Sequence, residues 1–176
     1  MTTAIARRHG GLVVDPVIGP MWHKSRFTTP YLRNTLWERG YALDTLETAL
    51  PWARIPAAMP AIQEALRHAL DDSGERTLVF GHLSHMYNDG ASMYITYLYR
   101  RAADPTETLH RWMLLKAAAS QQIVAHGGTI SHQHGVGSDH APYLAAEKGP
   151  LGMSVTAAAL HHFDPDGLMN PGKLII

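Results

Sequence analysis

Residues 77–99 read TLVFGHLSHMYNDGASMYITYLY, and this stretch decides the fold class. Two runs rich in strand formers, Thr77–His85 and Ala91–Tyr99, flank the turn signal Asn88-Asp89-Gly90, which is the composition of an antiparallel hairpin. Working outward toward the N-terminus, Met59–Asp71 repeats Ile62, Leu66 and Leu70 at helical steps. Before it, Tyr41–Thr48 alternates as a strand that Pro51 ends. Toward the C-terminus, Asp104 caps a long helix, with Pro105 at its first position and Glu107 at its third. Leu109, Trp112, Met113, Ala117 and Val124 form its expected apolar stripe, Gly127-Gly128 stop it, and Thr129–Ser131 begins a last short strand. From Tyr41 to Ser131 the order is therefore β-α-β-β-α-β, the ferredoxin-like arrangement of two helices on one face of an antiparallel sheet. Extra helices are expected at both ends, over Thr3–His9, Tyr31–Arg39 and Leu151–His161, with Leu12–Thr29 irregular.

Composition narrows the function classes. Apolar residues make up 45% and charged residues 17% of the 176-residue chain, and the net charge is zero, which suits a globular domain and not a nucleic-acid groove. There are no cysteines, so disulfides and thiolate metal sites are excluded. No apolar run approaches the ~20 residues that cross a bilayer, and the N-terminus has no signal-peptide pattern, so a cytoplasmic setting is expected. Twelve histidines give a rich supply of the side chain best suited to proton transfer and metal binding near neutral pH.

Two clusters could carry chemistry. In Ile130-Ser131-His132-Gln133-His134-Gly135-Val136-Gly137, His132 and His134 share a face if the segment is extended, and Gly135 and Gly137 let the backbone approach a ligand closely. A polar loop with surface histidines is the equally good plain reading. In the hairpin, His82 and His85 precede the turn, and Tyr94 shares a face with Ser92 and Thr96, where it could donate a proton or simply pack in the sheet. Arg33 opens a helix and suits bidentate capture of an anion. An all-histidine metal site built from His82, His85, His132 and His134 follows no fixed zinc spacing, so no metal is expected. The sequence has neither G-x-G-x-x-G nor G-x-x-x-x-G-K-[ST].

Three segments together resemble a known family. Tyr31-Leu32-Arg33-Asn34 with Leu46-Glu47-Thr48-Ala49 and Trp52 resembles the "YLRD…ETA…W" stretch of the alkyldihydroxyacetonephosphate-synthase-like branch of the FAD-linked oxidases, in the vanillyl-alcohol-oxidase superfamily. The Ile130–Gly137 segment resembles that branch's "SHHHGVG" loop, and Asp164–Leu174 resembles the "DPxGxLNPGKL" end found across FAD-linked oxidases. The likeness implies a C-terminal, substrate-side cap domain over residues 1–176, with FAD bound mainly by a domain absent from this chain and supplied in cis or as a separate chain. It implies that the isolated chain binds FAD weakly or not at all and is inactive alone. It places the family's catalytic residues on Tyr94, His132 and His134, its substrate contacts on Arg33 and Gln133, and cofactor contacts on Gly135, Asn170 and Lys173. A small anionic or lipid-like substrate is implied, nucleic acid is not, and a homo-oligomer is compatible with it.

Gln133 replaces a histidine of the synthase loop, a departure from the branch's pattern that bears on ether-lipid chemistry in particular. Metal ligands of the related 2-hydroxyacid dehydrogenases fall on His82, Tyr94 and Gln133, of which only His82 keeps a ligand side chain of that branch. Two other classes stay open: a non-catalytic binding or assembly subunit that keeps the fold, and a metal enzyme using His82, His132 and His134.

Overall fold

The computed structural model describes residues 2–14 and 16–175, and within them the chain forms two compact units, residues 1–39 and 40–176. The first unit holds helices α1 (Thr2–Arg8), α2 (Ile18–Ser25) and α3 (Leu32–Glu38), none of which has a buried residue. Helix α2 lies where an irregular segment was expected. Its Pro20 falls in the first turn, where a missing N–H costs no helical hydrogen bond.

The second unit is built on strands β1 (Tyr41–Pro51), β2 (Leu78–Met86) and β3 (Gly90–Arg100), in the order β1-β3-β2 and antiparallel throughout. Helices α4 (Ile55–His68) and α5 (Pro105–Ala125) complete the β-α-β-β-α series of a ferredoxin-like fold. Ala91, Met93, Ile95, Tyr97 and Tyr99 alternate along β3 and are all buried. With Ile62 and Leu66 of α4 and Leu115 and Ile123 of α5 they form the core on one side of the sheet.

The expected fourth strand is not formed as a ladder. Thr129–His132 runs antiparallel along the free edge of β1, in the fourth strand's place, but makes only two backbone bonds: Thr129 N to Ala49 O (3.2 Å) and His132 N to Glu47 O (3.0 Å). Side chains supply what the ladder lacks. The Thr129 hydroxyl accepts from Ala49 N at 2.9 Å, and the Glu147 carboxylate accepts from Ile130 N at 2.8 Å. Glu147 sits below the usual carboxylate range: burial pushes it up, and Lys148 together with the Ile130 N–H more than offsets this.

The buried face of α5 is also rotated from the expected stripe. Leu109 and Met113 are exposed, while Leu115, Lys116, Ala119, Ser120 and Ile123 turn inward. The reason is polar. Asp44 of β1 faces the helices, and its Oδ2 accepts from Trp112 Nε1 (2.7 Å), Tyr97 Oη (3.0 Å) and Lys116 Nζ (3.1 Å). The last helix, α6, runs Ala141–Phe163 and begins earlier than expected, at the Pro142 start signal. Gly149 interrupts it with a left-handed φ of 66°, so its second half matches the expected helix. No helix of the described residues is long and apolar enough to cross a membrane.

Burial raises the Asp44 pKa, but the Lys116 charge and the donors from Trp112, Thr45 and Lys116 leave it net lowered. Its contribution to stability is therefore complete above about pH 4 and lost as pH falls through the depressed value. Asp44→Ala should destabilise the chain by roughly 3–5 kcal/mol at pH 7 in chemical denaturation, because Lys116 loses its partner. Asp44→Asn should flatten the parent's loss of stability between pH 4 and pH 2.

Candidate functional site

The face of the sheet turned away from α4 and α5 carries the site. Register places Glu47 of β1, Tyr94 of β3 and His82 of β2 in one cross-strand row on that face. The His82 and Tyr94 rings stack with centroids 5.4 Å apart, and the His134 ring meets Tyr94 edge-on at 5.8 Å. The Tyr94 hydroxyl donates to Thr45 Oγ1 at 3.3 Å.

Glu47 is the centre of the arrangement. It is 4% exposed, and a carboxylate buried to this degree needs donors around it. Ser92, diagonal to it on the sheet, donates to Oε1 at 2.8 Å. Nδ1 of His85 and Nδ1 of His132 lie 3.3 and 3.2 Å from the same oxygen, and Nε2 of His134 lies 3.5 Å from Oε2. Burial pushes the Glu47 pKa up, but the bonds from Ser92 and His85 and the neighbouring His132 more than offset this, leaving it below its ordinary value.

A β-bulge brings His85 to this cluster. Leu83 pairs with Met93, yet Met86 pairs with Ala91, so β2 carries one extra residue against Ser92. In an unbroken register His85 would oppose Ala91 and point to the helix-covered side. The bulge re-aims it, and Ser92 Oγ accepts from His85 N at 2.9 Å.

The His132–His140 loop is fixed by its own bonds. Ser131 Oγ donates to Gly135 O at 2.7 Å, His140 Nδ1 lies 3.2 Å from the same oxygen, and Leu174 N of the C-terminal tail donates to Gly137 O at 3.1 Å. His132 Nε2 lies 2.8 Å from the Tyr87 hydroxyl at the start of the hairpin turn.

Of the expected site residues, Tyr94, His132 and His134 are brought together, with Glu47 between the two histidines. Gln133 stands between them at a left-handed φ of 63° with its side chain exposed. Gly135 has φ 74° and open space where a Cβ would stand, so a ligand could approach its backbone. Asn170 and Lys173 are exposed in the tail. Arg33 is exposed in the first turn of α3, in the other unit. His82 turns to Tyr94 and not to the histidine pair, so the ligands of the rival His82–His132–His134 metal reading do not converge among the described residues. The sequence reading gave no site role to Glu47, Ser92 or Tyr87, and weighed His85 only as part of an all-histidine metal site. Alternation in β1 carried a signal for Glu47, since it puts that acid on the face opposite Leu46 and Thr48.

Comparisons with known proteins give the family. Residues 15–174 match the family model for the C-terminal domain of FAD linked oxidases, and the chain belongs to that family. It is 24% identical over 157 residues to an alkyldihydroxyacetonephosphate synthase of Trypanosoma brucei brucei, covering 89% of this chain and 25% of the relative. It is 26% identical over 148 residues to a D-2-hydroxyglutarate dehydrogenase of Stutzerimonas stutzeri, covering 79% of this chain and 30% of the relative. A solved alkyldihydroxyacetonephosphate synthase shares the fold with a TM-score of 0.57 at 18% identity, covering 86% of this chain and 23% of that one. The chain thus spans about a quarter of the length of the curated relatives it matches.

The residues fit one side of a flavin. The His82, Tyr94 and His134 rings meet on one face of the sheet, a lining that suits a flat heterocycle, and the Gly135 backbone is open to close approach. They offer no glycine-rich loop for a pyrophosphate.

Ser92→Ala tests the architecture directly. It leaves Glu47 Oε1 and His85 N without the hydroxyl between them, and should lower stability by about 1–3 kcal/mol in denaturant unfolding. Ser84→Ala, at an exposed position on β2, should stay within about 0.5 kcal/mol of the parent.

Proposed function

We propose that this chain is the substrate-side part of a FAD-dependent oxidoreductase or synthase, in which Tyr94 and His134 exchange protons with a substrate beside the flavin. The FAD-binding domain is supplied in cis or by a separate chain, in a cytoplasmic setting. When bound, the flavin supplies an electron-pair acceptor. One observation carries the reading: the Tyr94 and His134 rings meet at 5.8 Å while His134 Nε2 faces the buried Glu47 carboxylate at 3.5 Å.

In this reading a neutral His134 with its Nε2–H toward Glu47 offers the Nδ1 lone pair to the substrate as a base. The Tyr94 hydroxyl is the matching donor, and Thr45 holds it in place when no substrate is present. His132 acts as a positioning residue, set between Glu47 and Tyr87. Arg33 grips an anionic group of a small or lipid-like substrate, and Gln133, replacing a histidine of the synthase loop, adjusts which substrate is accepted.

The test is turnover by the flavin-loaded full protein, read as flavin bleaching by candidate hydroxy acids or as group exchange on acylated ketose phosphates. Tyr94→Phe and His134→Ala should each lower kcat by about 10²–10⁴-fold with flavin content unchanged. Arg33→Lys should act mainly on KM. Parent-like kcat in both Tyr94→Phe and His134→Ala would contradict the assignment.

A further inference from the structure

Three donor atoms from separate chain segments converge on the open face of the sheet: Oε1 of Glu47 on β1, Nδ1 of His85 at the β2 bulge, and Nδ1 of His132 in the loop. One ligand atom from each of the three residues lies within 4.8 Å of the other two. We propose that Glu47, His85 and His132 form a binding site for a zinc-class divalent cation.

The distances suit such an ion. A tetrahedral ion with nitrogen and oxygen ligands at about 2.0–2.1 Å sets neighbouring ligands about 3.3 Å apart. Glu47 Oε1 stands 3.3 Å from His85 Nδ1 and 3.2 Å from His132 Nδ1. Two imidazoles and one carboxylate are a donor set for zinc, and not for calcium or magnesium, which require oxygen. Three protein ligands leave a fourth position open, and His85 lies at the exposed rim of the site.

The second observation is an unsatisfied atom. His132 Nδ1 is buried and makes no hydrogen bond, although a carboxylate oxygen is only 3.2 Å away. A buried nitrogen without a partner is costly, and a cation at the point of convergence removes the cost.

The outer groups are arranged to match. Ser92 fixes the carboxylate, and Tyr87 Oη lies 2.8 Å from His132 Nε2. With Nδ1 on the ion, Nε2 carries the ring proton and donates it to Tyr87, which holds the ring and its tautomer. None of the three ligands falls at His82, Tyr94 or Gln133, where the metal ligands of 2-hydroxyacid dehydrogenases would lie. The site shares Glu47 with His134 but takes neither Tyr94 nor His134 as a ligand, so absence of the ion leaves their proton roles standing.

The test uses the 176-residue chain stripped with chelator and titrated with Zn²⁺ by calorimetry and with Co²⁺ by visible absorption. One ion per chain is expected, with the intense cobalt bands of four- or five-coordination. Glu47→Gln and His85→Ala should each weaken Zn²⁺ binding by at least about 10-fold. His68→Ala, which removes the exposed His68–Glu64–Asp71 group, should leave it unchanged. His85 is itself half exposed, so its variant stays interpretable if Glu47→Gln loses structure, and circular dichroism reports which has occurred. Absence of stoichiometric binding, parent-like affinity in His85→Ala, or loss of the ion only in His68→Ala would overturn the site.

Discussion

A carboxylate buried on the side of the sheet turned away from α4 and α5 is the constraint from which the site follows. Glu47 has 2% of its side chain exposed, so its lone pairs must be met by donors from the chain. Ser92 meets one from the neighbouring strand, and imidazoles approach from β2 and from the loop beyond β1. The loop in turn is tied to the edge of β1 by the bond from His132 N to Glu47 O. The same residue therefore holds the loop through its backbone and orients the loop's histidines through its side chain.

Strand β1 carries two acids three residues apart, and the two-residue period of a strand sends them to opposite faces. Asp44 looks toward the helices, where Lys116, Trp112 and Tyr97 converge on one oxygen and set the rotation of α5. Glu47 looks the other way and gathers the histidines. Each acid thus fixes one layer against the sheet. The Asp44 side is closed and structural, and burial together with its charge pushes the Tyr97 phenol upward, away from any ionised role. The Glu47 side is open, and its groups meet at distances suited to a ligand.

The strands, the two packed helices and the pairing of β2 with β3 were all legible in the sequence, because alternation and turn residues depend on local chemistry. Tyr94, His132 and His134 were proposed as one site through a family resemblance, and they come together on the face that carries Glu47. What the sequence concealed depends on non-local geometry. His85 reaches the cluster only because one extra residue shifts the register of β2, and no pattern in Leu83-Ser84-His85-Met86 marks that bulge. Glu47 lay within a motif that was recognised, yet its role depends on which face β1 exposes and what arrives there from residues far along the chain. The closing strand was overread for a related reason. Ile130 N finds its acceptor in Glu147 of a helix, not in a neighbouring strand. The stripe on α5 was misplaced because its inward face is partly polar, with Lys116 and Ser120 buried where apolar residues were sought.

The central claim, that one buried carboxylate organises three imidazoles, is open to direct measurement by histidine ring nitrogen spectra of the metal-free chain, parent against Glu47→Gln. Coupled displacement of the ring signals of His85, His132 and His134, with those of the exposed His68 and His110 unmoved, is the result expected. Ring signals of those three residues that stay in place in a folded Glu47→Gln chain would contradict it.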